Sequence, residues 1–186
     1  MDQALRGRLR ATVAGRTPVD DRESTSISAF LEAFDALEDP LSQESSPVHV
    51  TGSGFVVGRR GVVLLKHKRL GFWMQPGGHI DPGETPWDAA RRECWEETGL
   101  GVQFLGPFDE GGVPELVHVD VHAGGRGHTH LDLRYLFGAG PHDDGAADPD
   151  PPEGESQEIG WFDWEEAIGL ADPGLRGALV ALRPRT

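Results

Sequence analysis

Apolar residues recur at helical spacing twice near the start of the chain, at Leu5, Leu9 and Val13 and again at Ile27, Phe30, Leu31, Phe34 and Leu37. Thr17-Pro18 separates the two runs, Ser24-Thr25-Ser26 offers capping residues ahead of the second, and Asp39-Pro40 with the polar stretch 42–47 closes them off. Two short helices are therefore predicted, forming an N-terminal extension over residues 1–46, with a second unit over 47–186. From His49 to Val57 the pattern loosens to alternation, a Gly-Arg-Arg-Gly turn follows at 58–61, and Val62 to Leu65 is β-rich, which together read as a hairpin. A helix is predicted over about residues 86–98: Thr85 is a good N-cap, Pro86 suits the first helical position, Asp88 completes a capping-box-like pattern, and Gly99 can adopt the left-handed conformation that ends a helix.

Further strands are expected over Val102 to Leu105 and Val113 to Val121, broken by Gly111-Gly112, then over His128 to Tyr135, Glu158 to Phe162 closing the series. On the His128 strand, His128, His130, Asp132 and Arg134 would share one face, with Leu131, Leu133 and Tyr135 on the other. Such a strand suits the wall of a polar cleft. Two histidines and an aspartate at alternate positions can bind a transition metal, orient a phosphate or relay protons, and substrate contact and proton handling are weighted above a dedicated zinc site. Residues 138–157 carry glycine, proline and acid but almost no core formers, and read as a long mobile loop. A short helix over Trp164 to Leu170 and a closing helix over Leu175 to Leu182, its start marked by Pro173, complete a mixed α/β pattern, a β-sheet between helical layers.

Composition narrows the options. A chain of 186 residues with 37% hydrophobic content fits one domain of ordinary core size with an appendage. The net charge of −14 argues against an electrostatic binder of duplex DNA or anionic membrane. A single cysteine allows no intrachain disulfide, and no signal-like or membrane-spanning apolar run appears, so a cytoplasmic protein is expected. The one dense basic run is Lys66, His67, Lys68 and Arg69, a solvated strand end or a phosphate contact.

On the predicted helix, Glu93, Glu96 and Glu97 fall within one arc of about 100°. Like charges at this spacing repel, so a cation is expected among them, and oxygen donors suit Mg²⁺ or Mn²⁺. The wider pattern is Gly78, five residues, Glu84, seven residues, Arg92-Glu93-Cys94, one residue, Glu96-Glu97, one residue, Gly99-Leu100. It resembles the Nudix box, Gx5Ex7REUxEExGU, with Cys94 standing where a larger aliphatic residue is usual. The GGHIDPGE lead and the histidine row together resemble an actinobacterial-type Nudix subgroup.

The resemblance implies the α/β/α Nudix fold and hydrolysis of a nucleoside diphosphate linked to another moiety. It implies Mg²⁺, with Mn²⁺ as a substitute, bound by Glu93, Glu96, Glu97 and the Gly78 carbonyl. Glu84 would support the site, Arg92 would pair with a box carboxylate and hold the loop to the helix, and the general base would be Glu93 or a carboxylate outside the box. Phe72 to Pro76 resembles the short strand that precedes the box. His67, His79, His128, His130, Asp132 and Arg134 are the candidate substrate contacts. The expected partner is a small nucleotide-type diphosphate, with no duplex DNA and no membrane. The N-terminal helices are read as packing on the domain, a part in a homodimer or in enclosing substrate being the lesser option. The alternative function is a Nudix-fold nucleotide-binding or regulatory module without turnover.

Overall fold

The computed structural model describes residues 1–69, 71–140 and 147–184. Helices α1 (Gln3–Ala14) and α2 (Asp21–Ala36) precede strands β1 (Val48–Gly58), β2 (Gly61–Lys66), β3 (Trp73–Met74) and β4 (Gly77–His79). Helix α3 (Pro86–Thr98) follows, then β5 (Val102–Phe104), β6 (Leu116–Ala123), β7 (Thr129–Ala139), β8 (Ile159–Phe162), α4 (Trp164–Leu170) and α5 (Pro173–Leu182). Among the described residues no helix is long and apolar enough to cross a membrane.

The centre of the mixed sheet is the parallel pair β1 and β7, in register from Val48 opposite Thr129 to Val57 opposite Gly138. The far edge of β7 is paired by β6 and then β5, and the far edge of β1 by β4 and then β2. Being central, the pair is covered on both faces. On one face Val50, Val56, Leu131, Leu133 and Phe137 pack against Ala89, Ala90 and Cys94 of α3. Two glycines bring α3 this close: a Cβ at Gly52 would lie 2.2 Å from the Pro86 carbonyl oxygen, and one at Gly54 2.6 Å from Cys94 Sγ. Cys94 is fully buried where the helix meets the sheet, against Gly54.

The other face divides along its length. At one end Phe55, Val62 and Leu64 pack under Ala167 of α4 and Leu175 and Leu179 of α5. At the other end the same face carries His49, Thr51 and Ser53 of β1 beside His130, Asp132 and Arg134 of β7. Of this polar half, Thr51, Ser53, His130 and Asp132 line a cavity.

The two N-terminal helices do more than lie on the surface. Leu9, Val13, Phe30 and Phe34 are buried in the main core. Val119 and Val121 on the outer edge of β6 donate their amides to Glu23 and Ser26 of α2 at 2.9 and 3.2 Å, while Arg16 donates to the Leu116 carbonyl at 2.9 Å. Side chains thus satisfy an edge that would otherwise present open backbone groups.

Several boundaries depart from the sequence expectation. Helix α2 starts at Asp21, capped by Asp20, which accepts from the Glu23 amide, so Ser24-Thr25-Ser26 lie inside the helix rather than before it. The strand expected from Val113 begins at Leu116, because 113–115 turn through an isolated bridge between Phe108 and Pro114. Strand β7 runs on to Ala139, past the expected start of the acidic loop. Of that loop, 141–146 lie outside the described residues. Its later part is tied down: the Asp150 amide donates to the Thr98 carbonyl at 2.9 Å, and Ser156 Oγ donates to the Lys66 carbonyl at 2.9 Å.

Candidate functional site: a carboxylate and histidine cavity

Helix α3 forms as its caps predict. The Asp88 amide donates to Thr85 Oγ1 at 3.2 Å, the Thr85 hydroxyl donates to the Asp88 carboxylate at 2.7 Å, and Gly99 closes the helix at φ 69°. That left-handed residue must be glycine on two counts, since the Asp150 carbonyl oxygen would lie 2.0 Å from a Cβ there. Thus fixed, the helix turns Glu93 and Glu97 toward a cavity of about 620 Å³ between α3, the Gly77–His79 strand and the polar half of the sheet.

Arg92 organises the box. It grips both oxygens of Glu84 at 2.9 Å, reaches Glu93 at 2.7 Å and Glu96 at 3.0 Å, and donates to the His79 carbonyl at 2.9 Å. The loop carrying Glu84 and the strand carrying His79 are thereby bound to one face of α3. Glu84 lies below its ordinary pKa, held ionised chiefly by that bidentate bond. Glu96 turns toward Arg92 and is not among the cavity-lining residues.

The cavity carboxylates face opposite electrostatics. Burial raises Glu93 above its ordinary pKa despite Arg92, and burial pushes Glu97 up to about 8, with Glu93 and Glu155 adding repulsion. Glu97 also accepts the Gly77 amide at 2.8 Å. A Cβ at Gly78 would lie 2.5 Å from the Glu93 carboxyl carbon, so only glycine lets the backbone meet that carboxylate. Two desolvated carboxylates against a bare backbone turn, with only Glu93 ion-paired, to Arg92, are a donor set that fits a hard divalent cation.

The opposite wall is polar and mostly satisfied. Asp132 accepts from Thr51 at 3.0 Å and Ser53 at 2.8 Å, and from Arg134 Nε at 2.8 Å. Arg134 also donates to Asp120 at 3.1 Å and to the Gly174 carbonyl at 2.7 Å. Expected as a substrate contact, Arg134 is instead 3% exposed, outside the cavity lining, and joins β7 to β6 and α5. Asp132 does line the cavity.

The histidines gather on one wall, where His79, His128 and His130 line the cavity and His49 is buried beside them. His49, His79, His128 and His130 each bring one ring nitrogen within 4.8 Å of the others. Burial lowers the pKa of His49, His79 and His130, the last to about 4 with help from the neighbouring His122, His49 and His79. These rings are neutral at pH 7. His49 escaped the sequence reading because its partners lie 30 to 81 positions away; the only signal was its place at the start of an alternating strand.

At the rim, His67, Lys68 and Arg69 of the basic run line the cavity, while Lys66 is engaged by Glu158 at 2.8 Å. Glu155 and Ser156 bring the acidic loop to the same rim. Glu155 was also missed, since it lies in a stretch with no hydrophobic pattern.

Comparison with known proteins now bears on this geometry. The NUDIX domain family model matches residues 47–182. The chain belongs to the Nudix family. It is 31% identical over 149 residues to an RNA pyrophosphohydrolase of Brucella ovis, spanning 73% of this chain and 82% of that protein. It is 34% identical over 105 residues to an RNA pyrophosphohydrolase of Agrobacterium fabrum, covering 54% of this chain and 61% of that one. A Nudix-family hydrolase of Clostridium perfringens shares the fold at a TM-score of 0.57 and 28% identity, over 72% of this chain and 92% of the other.

As a Nudix member the chain is a pyrophosphohydrolase, and α3 with its preceding turn is the Nudix box. Nudix hydrolases generally use divalent cations. Of the four clustered histidines, His79 lies inside the box at one of its variable positions, and His49, His128 and His130 lie outside it.

Proposed function

We propose that this Nudix hydrolase cleaves the pyrophosphate linkage of a nucleoside diphosphate joined to another group, with Mg²⁺, or Mn²⁺ in its place, held by Glu93 and Glu97 and supported by Glu96 and the Gly78 backbone. The observation that carries the reading is the Glu93 and Glu97 pair, facing a cavity whose rim brings Lys68 and Arg69. A divalent ion bound there neutralises phosphate charge and acidifies water. The protein's own groups do the rest. Arg92 fixes Glu84, Glu93 and the His79 carbonyl in one array, and the cationic rim receives the phosphates that the carboxylates alone would repel.

The base is a carboxylate of this cavity, Glu93 within the box or Glu155 at the rim, whose charge reaches both Glu93 and Glu97. The relatives named RNA pyrophosphohydrolase support including RNA that carries a pyrophosphate linkage among the substrates. The subgroup likeness rests on GGHIDPGE and the histidine row alone. The buried faces of α1 and α2 are taken up by β6 and the core, which favours packing within the chain over a dimer interface. A binding module without turnover draws no support from a box whose Glu93 and Glu97 both reach the cavity.

The test is a panel of nucleoside triphosphates, dinucleoside polyphosphates, nucleotide sugars and 5′-triphosphate RNA with Mg²⁺ or Mn²⁺, read by product mass. The expected result is cleavage of at least one member between phosphates. Measurable binding with no phosphate-containing product across the panel would sink the reading.

A further inference from the structure

The histidine cluster on the cavity wall has no task in phosphate hydrolysis as derived above. Its four members come from three strands and one loop end: His49 from β1, His79 from β4, His130 from β7 and His128 immediately before β7. The sheet register assembles them, with His49 opposite His130 across the parallel pair and His79 opposite Thr51 on the other edge of β1. His49 is central, its ring 5.1 Å from His79, 5.1 Å from His128 and 5.2 Å from His130.

Hydrogen bonding fixes the chemistry of the central ring. His49 Nδ1 lies 3.1 Å from the Ser46 carbonyl, which can only accept, so Nδ1 carries the proton and Nε2 presents a lone pair. That Nε2 is buried and has no hydrogen-bond partner, and the same holds for His79 Nε2. His49 itself is 0% exposed. Buried, unpaired imidazole nitrogens are costly unless something accepts them. A hydrogen bond from one ring nitrogen to a backbone carbonyl is also the usual outer support of a metal-ligating histidine.

We infer that His49, His79, His128 and His130 form a second metal site, selective for a borderline ion of the zinc class over Mg²⁺. Nitrogen-only donors discriminate in that sense, because Mg²⁺ requires oxygen ligands while Zn²⁺ and Co²⁺ favour imidazole. Four protein ligands make a closed, tetrahedral site of structural type. Tetrahedral Zn–N bonds place ligand nitrogens about 3.4 Å apart. The observed spacing within 4.8 Å needs only small ring rotations to reach that. The ion would cross-link β1, β4 and the start of β7, so that the turn holding Gly78 is braced from the side opposite Arg92. The site shares the cavity with the proposed hydrolytic centre and does not depend on it.

The experiment uses the full chain, stripped with chelator and kept in excess Mg²⁺, titrated with Co²⁺ and followed by visible absorption. One equivalent should give the intense bands of tetrahedral cobalt, displaced by Zn²⁺ and untouched by Mg²⁺, and Zn²⁺ should raise Tm. The His128→Asn/His130→Asn variant should lose affinity by at least about 100-fold. His79→Asn should do the same, and each variant's metal-free Tm should match that of the stripped wild type. The Glu93→Gln/Glu97→Gln variant should bind cobalt as wild type does. An octahedral spectrum, displacement by Mg²⁺, binding that survives in a histidine variant, or binding lost with the carboxylates would overturn the inference. Turnover enters none of these readouts, so failure here leaves the hydrolase reading standing, and the reverse.

Discussion

At the residue scale, the box depends on contacts that single atoms decide. Gly78 admits no Cβ, because that carbon would lie 2.5 Å from the Glu93 carboxylate. Gly78→Ala should therefore lower kcat by at least about 10-fold while changing Tm little, since displacing Glu93 misplaces the reacting groups. Arg92 makes a planar, two-pronged grip on Glu84 and reaches Glu93, Glu96 and the His79 carbonyl besides. An ammonium cannot reproduce that fork. Arg92→Lys should leave a folded protein with kcat reduced more than KM is raised, measured by steady-state kinetics. This part of the site was legible in sequence because all its members lie on one capped helix and the turn before it. Arg134 was misjudged for a related reason: alternation fixes which face of a strand a residue takes, yet whether that face opens on solvent or on Asp120 and Gly174 depends on α5, about 40 positions away.

At the element scale, helix placement follows from two devices, one visible in advance and one not. The caps of α3 were readable as Thr85, Pro86, Asp88 and Gly99. The glycines of β1 that admit α3 were not, because Gly52 and Gly54 look like strand-weakening residues until a helix is laid across them. Gly54→Ala would put a carbon 2.4 Å from the Phe137 ring and should cost about 1–3 kcal/mol, seen as a lowered urea midpoint. Strand β4 was likewise hidden, since Gly77-Gly78-His79 has no β-former and pairs only because Thr51 to Ser53 offers an edge. The α2 helix caps the edge of β6 through Glu23, which is 0% exposed and bound by Arg16 and the Val119 amide. Arg16→Ala leaves that carboxylate buried and unpaired by charge, so a loss of about 3–5 kcal/mol is expected by denaturant unfolding.

At the scale of the whole molecule, one sheet carries the core on one face and on the other a polar cavity beside a second apolar layer. His118 is held at about 4, below its ordinary 6.5, by burial first and then by Arg134. For Asp120, burial alone would raise the carboxyl, but the hydrogen bond from His122 and the charges of Arg134 and Arg22 hold it at about 2. Both folded values are depressed, so both groups stabilise the fold above their unfolded pKa values and lose that contribution as pH falls through the folded ones. Tm should accordingly decline from pH 6.5 toward 4 as His118 is forced to protonate, and further below 4 as Asp120 is lost. His118→Asn should flatten the upper part of that profile. The fold class was readable from helix and strand periods, but the gathering of four histidines was not, because only the 128 and 130 pair shows as a local spacing and the register of β1 against β7 supplies the rest.

The claim on which the rest stands is that the buried carboxylates of α3 carry hydrolysis. Its most direct test is the cleavage rate of Glu97→Gln against wild type, on a substrate the wild-type enzyme turns over with Mg²⁺ and with Tm measured in parallel. The substitution keeps the shape of the side chain and its capacity to accept the Gly77 amide, and removes only the charge. A fall in kcat of at least about 100-fold at unchanged fold is predicted. A folded Glu97→Gln enzyme with wild-type turnover would contradict the account.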